Sequence, residues 1–89
     1  MRESKIERLY CEKIAQLGGV SYKFVSPGVR GVPDRITLLP VPQWLAQILP
    51  RYIMFVEFKA PGKKQCVRQK RESDVIRKLG FPVKVIDNA

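Results

Sequence analysis

Three short stretches of this 89-residue chain carry side chains able to do chemistry. Asp34 opens a strand-like run directly after the Gly31-Val32-Pro33 turn. Glu57 and Lys59 stand two residues apart at the end of the most apolar run, and Gln69 lies early in a strongly basic helix. Side chains alternate along a strand, so Glu57 and Lys59 project from one face and deliver a carboxylate and an ammonium side by side. If the Asp34 strand pairs with this one, Asp34 reaches the same spot. Two carboxylates beside a lysine suit a hard, oxygen-loving cation. Mg2+ is usually held by one or two carboxylates, with water and phosphate oxygens completing its shell. Such an ion lowers the pKa of bound water and offsets charge on a phosphate. The Phe58 carbonyl could add a further oxygen, and Lys59 could hold or deprotonate the attacking water.

Composition narrows the chemistry further. Seventeen Lys and Arg against eight Asp and Glu give a net charge of +9. That excess calls for a polyanionic partner, nucleic acid ahead of an anionic membrane surface. No histidine is present, which excludes a histidine base, a Ser-His-Asp triad and a His-metal nuclease site within one chain. Two cysteines, Cys11 and Cys66, cannot close a four-ligand zinc site without histidine and are too few for a disulfide scaffold. A reducing compartment fits them. The start, Met1-Arg2-Glu3-Ser4-Lys5, is charged and reads as no signal peptide. No run approaches the ~20 apolar residues of a membrane span, and the chain lacks a strong basic amphipathic helix with a Trp or Phe face, so no membrane partner is expected.

The elements that must position these residues follow from periodicity. Ile6, Leu9, Tyr10, Ile14 and Leu17 form one apolar stripe and predict a helix over 3–17, stopped by Gly18-Gly19. Residues 21–26 are short and β-prone, 27–33 form a glycine-containing loop, and 34–39 read as a strand ended by Pro40. Residues 52–58 are the clearest strand; their continuous apolar character predicts a central strand covered on both faces. A basic turn spans 60–64. A second helix covers 65–79, stopped by Gly80, and 81–86 form a last strand. The order is α-β-β-β-α-β within a single domain, 1–89. The apolar segment 40–50, bracketed by Pro40, Pro42 and Pro50, is an insertion between strands that could form two helical turns or a broad loop.

Pro33-Asp34, 22 further residues, then Glu57-Phe58-Lys59 resembles the PD-(D/E)xK nuclease motif. More narrowly, Gly31-Val32-Pro33-Asp34-Arg35, Glu57-Phe58-Lys59-Ala60-Pro61-Gly62-Lys63 and Gln69 resemble the virus-type replication-repair nuclease (VRR-NUC) domain, along nearly the whole chain. The resemblance implies an α/β restriction-endonuclease-like core, a mixed central sheet flanked by helices. It also implies a Mg2+- or Mn2+-dependent endonuclease that hydrolyses phosphodiester bonds. By motif, Asp34 and Glu57 would bind metal through side chains and Phe58 through its carbonyl, while Lys59 acts on the water. Gln69 matches the helix glutamine that orients the site, and Glu7 the N-terminal helix acid that reaches the metal through water. Small members of this kind are similar to phage-encoded homodimers acting on branched DNA such as four-way (Holliday) junctions. The expected location is the cytosol, bacterial or that of a phage-infected host. The spacing between Asp34 and Glu57 is long for a minimal member, and the excess is the 40–50 segment.

Plainer readings stand beside these. Asp34 could only cap its loop, and Glu57 with Lys59 could be an exposed pair at a strand edge. Glu7 fits a Ser4-x-x-Glu7 capping box as well as a site. Gln69 could be an exposed helix residue without a role. Residues 59–78 hold eight Lys or Arg against two acids, so Lys63, Lys64, Arg68, Lys70 and Arg71 are read as phosphate contacts, with Arg30 beside Asp34 as another. Trp44, Leu45, Ile48 and Leu49 could form a lid, a dimer contact or a wedge into a junction. Tyr10, Tyr22, Phe24, Tyr52, Phe55 and Phe81 read as core, and the two cysteines as buried or neutral thiols. The alternative to an enzyme is a non-catalytic nucleic-acid-binding module on the same fold, for which Asp34 and Glu57 beside phosphate would be repulsive.

Overall fold

The computed structural model describes residues 2–25 and 28–88. The ends of the expected strand over 21–26 and of the expected loop over 27–33, at Ser26 and Pro27, lie outside the described residues. In chain order the elements are α1 (Glu3–Gln16), β1 (Val20–Lys23), β2 (Arg35–Leu38), α2 (Gln43–Ala46), a 3-10 turn (Leu49–Arg51), β3 (Phe55–Phe58), α3 (Val67–Lys78) and β4 (Val83–Ile86). This is a mixed α/β protein whose chain gathers into two compact units, Met1–Leu39 and Pro40–Ala89.

In the first unit β1 and β2 pair antiparallel, with Ser21 opposite Thr37 and Lys23 opposite Arg35. The helix α1 ends where Gly18 and Gly19 donate to the carbonyls of Ala15 and Ile14, which satisfies the last open carbonyls of the helix. Ile14 and Leu38 form its buried apolar centre.

In the second unit β3 and β4 pair parallel, Glu57 opposite Val85 and Phe58 opposite Ile86. Parallel neighbours need a crossover, and α3 supplies it. The chain enters this crossover through a tight turn in which Lys63 donates to the Ala60 carbonyl at 2.9 Å. Pro61 presets the first central position, and Gly62 takes φ +78°, a conformation other residues adopt at a cost. The helix closes at Gly80, φ +105°, with Phe81 donating to Ile76 and Gly80 to Arg77. The 40–50 segment becomes one α turn and one 3-10 turn, tied to the end of α3 by the 3.0 Å bond from Val41 N–H to the Leu79 carbonyl.

Several expectations are corrected here. Among the described residues the strands pair two by two, β1 with β2 and β3 with β4, rather than in one central sheet that joins the Asp34 and Glu57 strands. The strand expected from 52 begins only at Phe55, because Tyr52 and Ile53 donate back to the Leu49 carbonyl and complete the 3-10 turn. Nor is β3 covered on both faces: Val56 is 44% and Phe58 74% exposed, while Glu57 faces α3. Of the aromatics read as core, Tyr10, Phe24 and Tyr52 are exposed, whereas Phe55 and Phe81 pack edge to face at 6.4 Å. Cys66 is exposed and Cys11 half-buried.

Candidate active site

Strand alternation places Glu57 and Lys59 on one side of β3 with their charged ends together. Lys59 Nζ lies 3.0 Å from Glu57 Oε2. The same ammonium donates to Gln69 Oε1 at 2.7 Å. That glutamine sits in the first turn of α3, and its Oε1 also accepts the Cys66 backbone N–H at 3.1 Å. It therefore closes the start of the helix and holds the lysine with one oxygen. On the other side of the carboxylate, Gln65 Nε2 donates to Glu57 Oε1 at 3.1 Å and to Ser73 Oγ at 2.8 Å. Glu57 Oε2 is cut off from solvent and receives no well-directed hydrogen bond, only the approach of Lys59. The Gln65 donor, followed by the Lys59 ammonium, holds the Glu57 carboxyl below the usual glutamate range. A cleft of about 430 Å³ runs beside this group, lined by Glu57, Arg68, Gln69, Glu72 and Ser73 among others.

The first unit carries a second polar group. Arg35 Nε donates to Glu7 Oε2 at 2.7 Å and its Nη1 to the Ser21 carbonyl at 3.2 Å. Two residues along β2, Thr37 shares a 2.6 Å hydrogen bond with the Tyr10 hydroxyl and donates to Ser21 Oγ at 3.3 Å. The Glu7 carboxylate raises the Arg35 pKa above its ordinary value, so the guanidinium stays charged. A shallow cleft of about 300 Å³ is lined by Glu3, Glu7, Tyr10, Asp34, Arg35 and Thr37 among others. The capping-box reading of Glu7 fails: α1 starts at Glu3 with Arg2 as its cap residue, so Ser4 is already inside the helix, and Glu7 turns to Arg35.

Of the sequence-derived candidates, Glu57, Lys59 and Gln69 come together in the second unit, and Glu7 and Asp34 line one cleft in the first. Asp34 is exposed just before β2, its backbone carbonyl accepting from Phe24 N–H at 2.8 Å. Lys63, Lys64, Arg68, Arg71 and Arg30 are exposed and, among the described residues, make no ion pair. Lys70 is engaged by Asp74 at 3.3 Å, as is Arg77. Among the described residues no cluster of three or more acidic or thiol side chains forms a metal cage. Sequence reasoning missed Gln65, Ser73 and the role of Arg35. The signal for Arg35 was its two-residue spacing from Thr37, which puts both on the face of β2 that meets Glu7 and Tyr10.

Fold and site together define a small mixed α/β protein with a carboxylate–ammonium pair at a strand end beside a basic helix. No family model matches the chain. A phage protein described as "Putative nuclease p44", from Acyrthosiphon pisum secondary endosymbiont phage 1, is 43% identical over 88 residues, covering 99% of this chain and 85% of that one. A solved VRR_NUC domain is similar at 30% identity over 97% of this chain and 84% of its own, with a TM-score of 0.42. At 43% identity over 99% of its length, the chain belongs to the family of that phage nuclease.

Proposed function

We propose that the protein is a divalent-metal-dependent DNA endonuclease that hydrolyses phosphodiester bonds, selects branched DNA such as four-way junctions, and works as a homodimer. The observation that carries this reading is the Glu57–Lys59 pair at the end of β3, with Gln69 holding the lysine. The available donors suit a hard cation. They are oxygens, and the Glu57 carboxylate is held ionised by the Gln65 donor and the Lys59 ammonium. By their match to the family motif, Asp34 and Glu57 through their side chains and Phe58 through its carbonyl are the groups assigned to Mg2+ or Mn2+, with Glu7 acting through water. When bound, such an ion lowers the pKa of its water and offsets charge on the scissile phosphate.

The chain's own groups do the rest. An ammonium has three N–H donors; one goes to Gln69 and the group leans on Glu57, which leaves capacity to direct a water. Lys63, Lys64, Arg68 and Arg71, with Arg30, neutralise backbone phosphates. Lys70 contributes less because Asp74 already faces it. A two-fold dimer would present two sites at a fixed separation, which cutting two strands requires. Trp44, 65% exposed on α2, supports an apolar dimer contact. The test is cleavage of labelled linear, flapped and four-way DNA with Mg2+, with Mn2+ and with chelator. Metal-dependent cleavage, fastest on the four-way substrate, is expected; equal cleavage in chelator would defeat the metal reading, and equal rates on all three substrates the branched-DNA reading.

A further inference from the structure

Gln65 belongs to none of the motif residues, yet its side chain joins the strand carboxylate to the helix. Its Nε2 donates to Glu57 Oε1 at 3.1 Å and to Ser73 Oγ at 2.8 Å. Ser73 is 5% exposed, the buried polar residue among those described. A primary amide nitrogen carries two hydrogens, and here each has its own acceptor. The orientation of the amide is thereby fixed by chemistry, since the opposite flip would set Gln65 Oε1 against the Glu57 carboxylate.

Gln69 and Ser73 are four residues apart and share one face of α3, while Gln65 lies in the extended lead-in just before the Cys66 cap residue. Glu57 and Lys59 are two apart on β3, about 6.6 Å per step. Gln65 meets Glu57 and Gln69 meets Lys59 in the same order. Each charged residue of the strand thus has its own glutamine.

We propose that Gln65 is a positioning residue for Glu57: by holding Oε1 it fixes the plane of the carboxylate that the reading above makes a metal ligand. This rests on the metal-dependent nuclease reading above. A neutral amide suits the task. Lys59 already lies 3.0 Å from this carboxylate; an arginine or lysine at position 65 would offset still more of the charge that attracts the cation, whereas the amide adds none. Ser73 anchors the amide from the helix side.

The test uses the full chain and Mn2+ alone. Free Mn2+ is followed by electron paramagnetic resonance without DNA, and single-turnover cleavage of four-way DNA is measured against Mn2+ concentration. Gln65→Leu keeps the bulk and removes both donors. Its Mn2+ affinity should fall by about 10–100-fold, the usual loss when a partner of a metal ligand is removed. Cleavage should fall at low Mn2+ and recover at high Mn2+, with DNA affinity unchanged. Melting measured without metal reports a defect of folding separately, because a bound ion would itself stabilise the folded chain. Should Gln65→Leu not fold, Gln65→Asn replaces it, its amide one methylene too short to reach Glu57. Wild-type Mn2+ affinity in the folded variant, alongside lost affinity in Glu57→Gln, overturns the role of Gln65 and leaves the nuclease reading standing. Wild-type Mn2+ binding and cleavage in Glu57→Gln overturns the nuclease site itself.

Discussion

Gln69 Oε1 accepts two donors, the Cys66 backbone N–H at 3.1 Å and Lys59 Nζ at 2.7 Å, so one atom serves stability and chemistry. Gln69→Ala removes both contacts. Loss of a helix-start cap costs about 1 kcal/mol, and for a domain of under 100 residues each kcal/mol moves Tm by about 4–8 °C. Lys59 also loses the partner that aims it. A positioned proton-transfer group contributes about 10²–10⁴-fold to rate, and Gln69→Ala should forfeit a large part of that. Gln69→Glu separates the two effects. It keeps an acceptor for Cys66 and places a negative charge in the first helical turn, where the helix dipole favours it, so Tm should hold. The new carboxylate would grip the Lys59 proton from a second side and repel phosphate, so cleavage should still fall. Calorimetric melting and single-turnover cleavage at saturating Mn2+, below both melting temperatures, measure the two quantities. A Gln69→Ala protein with wild-type Tm would refute the cap, and one with lowered Tm but wild-type turnover would show that Lys59 does not depend on Gln69.

Asp34→Asn and Glu57→Gln should each abolish cleavage while melting and DNA binding persist; normal turnover in either removes that residue from the site. Changing Lys63 with Lys64, or Arg68 with Arg71, to Ala should weaken binding to every DNA sequence and flatten the salt slope by about one unit per lost phosphate contact. Lys59→Ala should leave that slope unchanged, as filter binding across salt concentrations would show. Because Gln65 and Lys59 depress the Glu57 pKa, the stability from its ionised form is complete above the ordinary value of 4.5 and is lost as pH falls through its lowered folded value. The Tm advantage of wild type over Glu57→Gln should therefore be flat at neutral pH and shrink only below 4.5, and a gap that stays constant down to pH 2 would contradict it. Light scattering at micromolar concentration should give a dimer, weakened by Trp44→Ala with Leu45→Ser; an unchanged association constant would move the interface elsewhere.

Both long helices were legible because an apolar stripe at helical spacing and a closing glycine act locally. Glu57 and Lys59 were legible as neighbours for a similar reason, since strand alternation needs no knowledge of the rest of the chain. Sheet pairing was not legible. The apolar run over 53–58 looked like a strand buried on both faces, but Ile53 belongs to the end of a 3-10 turn and Phe58 is exposed. Apolar content alone does not say which backbone carbonyl an N–H will find. Gln65 was invisible in the sequence because its partner depends on the phase with which α3 follows the turn. Glu7 was ambiguous between cap and site, and the deciding fact, that α1 begins at Glu3, lies within the residue or two by which helix starts are uncertain.

The turn between β3 and α3 has a consequence for how this chain tolerates changes in length. Gln65 in the lead-in and Gln69 in the first turn of α3 reach two charged residues on one strand across a short connection closed by the bond from Lys63 N–H to the Ala60 carbonyl. One residue more or less would break that turn and draw Gln65 away from Glu57. The excursion before β3 is under no such rule, because it is tethered at Val41 and returns to the strand at Phe55 without aligning any pair of polar groups. Insertions and deletions should therefore be accepted on the amino-terminal side of β3 and rejected on its carboxy-terminal side.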